Sequence, residues 1–159
     1  MRRKTTTAIA ALFLTFMAIN TLPAQACELR GYTPGFWKQE QHFEYWPDGI
    51  EPDNSFLGQY FVFPEEMIPI TYTNDFLTDA LRFRGGSDWK GGSRILLRAA
   101  VAALLNAMYF GEFDESECHS GYYYTPCEVI GLVNAALDSL DRGEMLSLAG
   151  ELDFYNNQG

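Results

Sequence analysis

Thiols, imidazoles, carboxylates and flat aromatic rings are the groups in this sequence whose types could carry chemistry. The cysteines are Cys27, Cys118 and Cys127, and three pairings among them are open. Cys118 and Cys127 flank the short segment from His119 to Pro126. Local closure is therefore the expected disulfide, contributing on the order of 2–3 kcal/mol, with Cys27 as the spare thiol. The rival pairings join Cys27 to Cys118 or to Cys127 and staple the N-terminus down. The histidines are His42 and His119. Zinc wants about four ligands in recognisable spacing, which His42, His119 and Cys118 do not offer, so no metal or other cofactor is expected.

Glu40, Glu44, Asp48, Glu51 and Asp53 fall in one stretch. Glycoside cleavage needs two carboxylates about 5 to 10 Å apart across a groove. With 21 acids in the chain, some pair meets that distance by chance. Asp48, Glu51, Asp53 and Asn54 lack the ordered spacing of a calcium loop and read as a solvated acidic turn. A serine nucleophile would want a Gly-x-Ser-x-Gly elbow, which is missing. The aromatic residues are more suggestive. Trp89 is set among glycines, and Tyr122-Tyr123-Tyr124 cannot all face one core. Exposed flat rings suit sugars and protein interfaces, so Trp89, Tyr122, Tyr123 and Tyr124 are the candidate ligand-binding residues. Trp37 and Trp46 are expected in the core.

These residues need elements to hold them. Thr33 can cap a helix and Pro34 suits its first position. Phe36, Phe43 and Trp46 then share one helical face, and Pro47 stops the element. Residues 47–70 carry four prolines and two glycines and read as a long loop lying over the core. Thr73 or Asn74 can cap a short helix to about Phe83. Residues 84–92 are glycine-rich but lack the Lys-Ser/Thr ending of a phosphate loop, and they read as a flexible turn. Ser93 is expected to cap an almost wholly apolar helix, Arg94 to Phe110, whose polarity is confined to Arg94, Arg98 and Asn106. Such a helix belongs in the middle of a bundle, and Arg98 argues against a membrane span.

Thr125-Pro126-Cys127-Glu128 is a capping box opening the next helix. A break at 141–143 precedes a last helix to about Tyr155. Ala103-Leu-Leu-Asn-Ala107 is echoed by Gly131-Leu-Val-Asn-Ala135. Asn106 and Asn134 are expected to be structural, hydrogen-bonding across a helix pair or to a loop carbonyl. No alternating pattern competes over useful length. The expected fold is all-α, a small bundle of four or five helices with a long Pro/Gly-containing loop region.

The chain has 159 residues, 47% hydrophobic and 15% aromatic, which excludes a disordered chain and two large domains. Arg2, Arg3 and Lys4, the apolar run from Ala8 to Ala18 and the small residues Ala24 and Ala26 predict a signal peptide over 1–26. The run is short for a membrane anchor. Cys27 follows the predicted cut, but Ala24 and Gln25 suit plain cleavage better than lipid attachment. A single domain, 27–159, remains. Removing three basic residues leaves eight against 21 acids, a net charge of −13. That surface repels phosphate backbones and anionic lipid, so nucleic-acid binding and membrane docking are excluded as leading functions.

Thr33-Pro34-Gly35-Phe36-Trp37-Lys38, Arg98 to Ala107, Glu128 to Ala135, Glu151-Leu-Asp153 and Asn156-Asn157 form an ordered set. In this the chain resembles a family of uncharacterised secreted or surface-exposed, mainly bacterial proteins with a Thr-Pro-Gly-aromatic-Trp-Lys motif. The resemblance covers nearly the whole mature chain and implies an extracellular module, without catalytic residues to carry over. Members often have tyrosine where Phe36 stands and a cysteine near the C-terminus, which this chain lacks.

The expected function is a secreted, periplasmic or cell-surface binding or structural module whose ligand is a protein or glycan. The alternatives are a polysaccharide or cell-wall hydrolase using a carboxylate pair, and a surface component that self-associates.

Overall fold

The computed structural model describes residues 27–67, 72–117 and 119–159. The predicted signal peptide lies outside them, as does Cys118. Among the described residues the chain is helical, without a strand. Extended backbone meets only in isolated bridges, Leu29 with Gly121, Glu112 with Tyr122, Asp114 with His119 and Phe56 with Phe76.

Among the described residues the elements are α1 (Pro34–Trp37), three 3-10 turns (Glu40–Tyr45, Leu57–Gln59 and Tyr72–Asn74), α2 (Leu77–Ala80), α3 (Trp89–Phe110), α4 (Pro126–Asp138) and α5 (Arg142–Asn156). Thr33 caps α1 as its type predicts, its hydroxyl accepting the Phe36 N–H at 3.2 Å. The longer helix expected there does not form. Gln39 is extended, with φ −88° and ψ 127°, and the chain resumes as a 3-10 turn. Trp37 and Trp46 still reach the core, joined by the Trp46 Nε1–H donating to the Trp37 carbonyl at 3.2 Å.

α3 is the hub. From Leu96 to Ala107 nearly every side chain is buried, and α3 packs chiefly against α5 and then α4. By length and composition it is long and apolar enough to cross a membrane, but 67% of its most apolar window is buried inside the fold. It begins five residues earlier than Ser93 predicts. Asp88 is the cap, its carboxylate accepting the Gly91 N–H at 2.8 Å. The glycine-rich segment is therefore partly helix rather than a flexible turn. Gly91 lies against the Gly86 backbone and Gly92 against Arg142 and Met145, where a side chain would collide or crowd. Glycine serves here for close approach, and that outweighs its poor helix propensity.

α4 opens with the predicted box. Glu128 accepts the Thr125 N–H at 2.8 Å, and the Thr125 hydroxyl accepts the Glu128 N–H at 3.3 Å. The Thr125 N–H, together with the Thr125 hydroxyl donating to the same carboxylate at 2.9 Å, holds the exposed Glu128 carboxyl below its usual range. Asp141 caps α5 through the Glu144 N–H at 2.9 Å. Between α4 and α5, Leu140 takes a left-handed φ of 52°, which is uncommon for a residue with a branched side chain.

The cysteine expectation needs correcting. Cys127 is a free, exposed thiol, and Cys27 is held in a disulfide, so the loop from 118 to 127 is not closed on itself. Cys127 is the second residue of α4, where the capped first turn faces its side chain to solvent. The N-terminal segment runs beside the loop instead, with Arg30 N–H donating to the Gly121 carbonyl at 2.8 Å. The same segment meets the end of the chain. Gly31 lies against the Tyr155 carbonyl, and Gly159 against Gly31.

Candidate functional site

A buried polar cluster positions the surface that the tyrosine loop presents. Asn106, on α3, is fully buried. Its Oδ1 accepts from the Tyr32 N–H at 2.8 Å and from Trp37 Nε1 at 2.9 Å. Its Nδ2 donates to the Tyr32 carbonyl at 2.9 Å and to Asn156 Oδ1 at 2.8 Å. Asn156, equally buried on α5, also accepts from the Tyr122 hydroxyl at 2.9 Å and donates to the Ala99 carbonyl at 3.0 Å. Two amides thus lock together the Thr-Pro-Gly-Phe-Trp-Lys segment, α3, the tyrosine loop and α5. Satisfied networks of this kind rigidify what they join.

Asn134 differs from its echo. It is half-buried on α4, and its Oδ1 accepts a single N–H from Val62 at 2.9 Å.

Tyr122 was a candidate ligand contact, and the structure overturns that. It is 0% exposed, and burial pushes its phenol far above its ordinary pKa, keeping the hydroxyl a donor. The reason is local. Tyr122 pairs with Glu112 in extended backbone, and alternate residues of an extended segment face opposite ways. Tyr123 therefore faces out, 47% exposed. Its ring lies parallel on Tyr155, with centroids 4.0 Å apart and planes 5° apart. Tyr124 stands edge-on to both rings, and its hydroxyl donates to Glu151. Burial first, and then this bond, raises the Tyr124 phenol above its ordinary range. Phe154, 62% exposed, sits edge-on to Tyr155.

The result is a platform of four rings on the loop and the end of α5. Glu151 and Tyr155 stand in the motif set and the last helix of the sequence reading, but with Phe154 they are not among its binding candidates, because they read as ordinary positions of an amphipathic helix. Their spacing of three and four residues does place them on one helical face.

Trp89 does not join the platform. It opens α3, at the other end of a 22-residue helix from the loop, roughly 33 Å along the axis at 1.5 Å per residue. It is half-buried against the core, with the Lys90 ammonium 5.6 Å from its ring centre. In the Thr33–Lys38 motif, Trp37 is buried, and Phe36 is sandwiched between Tyr32 at 4.0 Å and His42 at 3.9 Å. His42 Nδ1 lies 2.9 Å from the Phe36 carbonyl, which fixes that nitrogen as the donor. Lys38 is exposed, and its carbonyl accepts from Arg82 at 3.2 Å.

Of the carboxylates singled out in the sequence, Glu44 and Asp48 line one cavity of about 450 Å³ with Tyr45, Trp46, Met108 and Tyr109. Glu51 bonds locally to Asn54 at 3.3 Å. Among the described residues, no three of the His, Cys, Asp and Glu side chains come together as a metal cluster. The platform can stack against a flat apolar face and offer hydroxyl and carboxylate partners around it. No protein-family model, curated protein or solved structure matches this chain.

Proposed function

We propose that this protein is an exported, acidic helical module, a small bundle of four or five helices. It works in the periplasm, at the cell surface or outside the cell. Its ligand is a glycan, bound through Tyr123, Tyr124, Phe154 and Tyr155. The observation that carries the reading is the parallel Tyr123–Tyr155 pair, with Tyr123 47% exposed and its neighbour Tyr122 anchored by the buried bond to Asn156. A pyranose ring has an apolar C–H face that stacks on such a surface, and its hydroxyls need acceptors, which Glu151 supplies beside Tyr124.

A glycan array and pull-down on the mature protein test this. Wild type should retain one class of glycan, and Tyr123→Ala should lose it with the fold intact by circular dichroism. A protein captured in its place, with glycans ignored, would replace the reading by a protein-binding one.

Hydrolysis of polysaccharide is the second reading, and the shared cavity of Glu44 and Asp48 is the observation that favours it. Glu44→Gln or Asp48→Asn should then abolish release of reducing sugar. Wild-type protein that releases none removes it.

A further inference from the structure

The last turn of α5 has a second flank. Phe154 and Tyr155 belong to the aromatic platform, whereas Asp153 and Asn157 line a cleft of about 620 Å³. Thr33, Pro34, Gly35 and Lys38 form another wall, residues 81–84 a third, and Arg98 of α3 projects from the fourth side.

Charge sets this cleft apart. The chain beyond residue 26 has only eight basic residues against 21 acids. Four of those eight, Lys38, Arg82, Arg84 and Arg98, line this one cleft. Arg82 is committed to the Thr78 and Lys38 carbonyls, both at 3.2 Å, and so holds the wall in place. Among the described residues, the side-chain cations of Lys38, Arg84 and Arg98 form no hydrogen bond and no ion pair within 4.0 Å. The one carboxylate of the wall, Asp153, pairs with none of them. A strongly acidic protein has thus gathered half its cations in one concavity and left them unneutralised. Their mutual repulsion is a standing cost that a bound anion reverses.

We propose that this cleft seats the carboxylate or sulfate group of an acidic saccharide whose chain continues onto the aromatic platform. The inference deepens the glycan-binding reading and rests on it. Guanidinium forks match planar oxyanions in two-point fashion, which favours Arg84 and Arg98 as the gripping residues. The cations stand on separate elements around a space that holds a sugar residue. That arrangement suits an oxyanion carried on a ring better than a small free ion, and the platform is on the adjoining face of the same helical turn.

The test is calorimetric titration of the mature protein with an oligogalacturonate, a sulfated oligosaccharide, a neutral oligosaccharide and inorganic sulfate. Wild type is compared with Arg84→Gln, Arg84→Gln/Arg98→Gln and Tyr123→Ala, each checked by thermal melting. Arg84 is exposed, so its variant reports on binding without disturbing the core. One acidic oligosaccharide should bind, more weakly as salt rises. The double variant should lose about tenfold or more of that affinity while the neutral oligosaccharide is unaffected, and Arg84→Gln alone should fall between. Which acid binds identifies the group. A double variant that binds the acidic saccharide as tightly as wild type overturns the cleft and leaves the platform reading standing. Acidic binding that survives Tyr123→Ala but not the double variant keeps the cleft and removes the platform. Binding of inorganic sulfate alone, or of nothing, overturns both.

Discussion

Two stretches of this molecule carry nearly the same five residues and do different work. In α3, Ala103 to Ala107 is wholly buried, and Asn106 has all four of its amide hydrogen-bonding positions filled. In α4, Gly131 to Ala135 is largely exposed, and Asn134 accepts one bond from a loop. The contrast shows that an asparagine in apolar helical sequence takes its weight from what converges on it. Around α3 the N-terminal segment, the tyrosine loop and α5 all arrive. At Asn134 only the Val62 N–H does.

Replacing each asparagine by leucine is the sharpest way to break this comparison. Asn106→Leu leaves the buried Trp37 Nε1 and both part-buried backbone groups of Tyr32 without their partner. The expected loss is about 3–5 kcal/mol by urea or thermal unfolding, since each stranded buried group costs roughly 1–3 kcal/mol. Asn134→Leu stands at the other end of the scale. If both lose the same amount, the distinction collapses.

Tyr122→Phe comes next, with an expected loss of about 1–2 kcal/mol for one bond to Asn156. It also carries a pH signature. The Tyr122 phenol has its pKa raised on folding, so its contribution is complete while the unfolded phenol is still protonated, below its ordinary value of 10.0. That contribution is lost as pH climbs above this value. Wild type should therefore melt progressively earlier above that pH, and Tyr122→Phe should flatten the decline. An unchanged slope would mean that Tyr122 does not drive it.

Thr125→Ala removes a helix cap on α4 and should cost about 1 kcal/mol by the same measurement. Asn134→Leu should cost less than about 1 kcal/mol, because water reaches its site and can replace the amide. It should leave ligand retention on the glycan array untouched.

How much of this could be read beforehand follows local physics. The caps at Thr33 and Thr125, the apolar run of α3 and the buried Trp37 and Trp46 all depend on neighbours in sequence, and they were legible. The start of α3 was not, because Gly91 and Gly92 are set by Gly86 and Arg142, which lie elsewhere in the fold. Alternation along extended backbone separates Tyr122 from Tyr123, but the pairing of Glu112 with Tyr122 had to be seen first. The cationic cleft was invisible for the plainest reason. Lys38, Arg84 and Arg98 are scattered over sixty positions, and only folding collects them.

The meeting of Gly31 with Tyr155 and Gly159 has an engineering consequence. Head and tail of the described domain abut, so a short glycine linker can splice them, and the chain can be reopened elsewhere without lengthening any connection. Gly49 offers an opening: it is exposed, has a φ of 86°, and a side chain there would touch nothing. A circularly permuted molecule started at that position has the same partners to find, and the aromatic end of α5 becomes an interior stretch instead of a terminus.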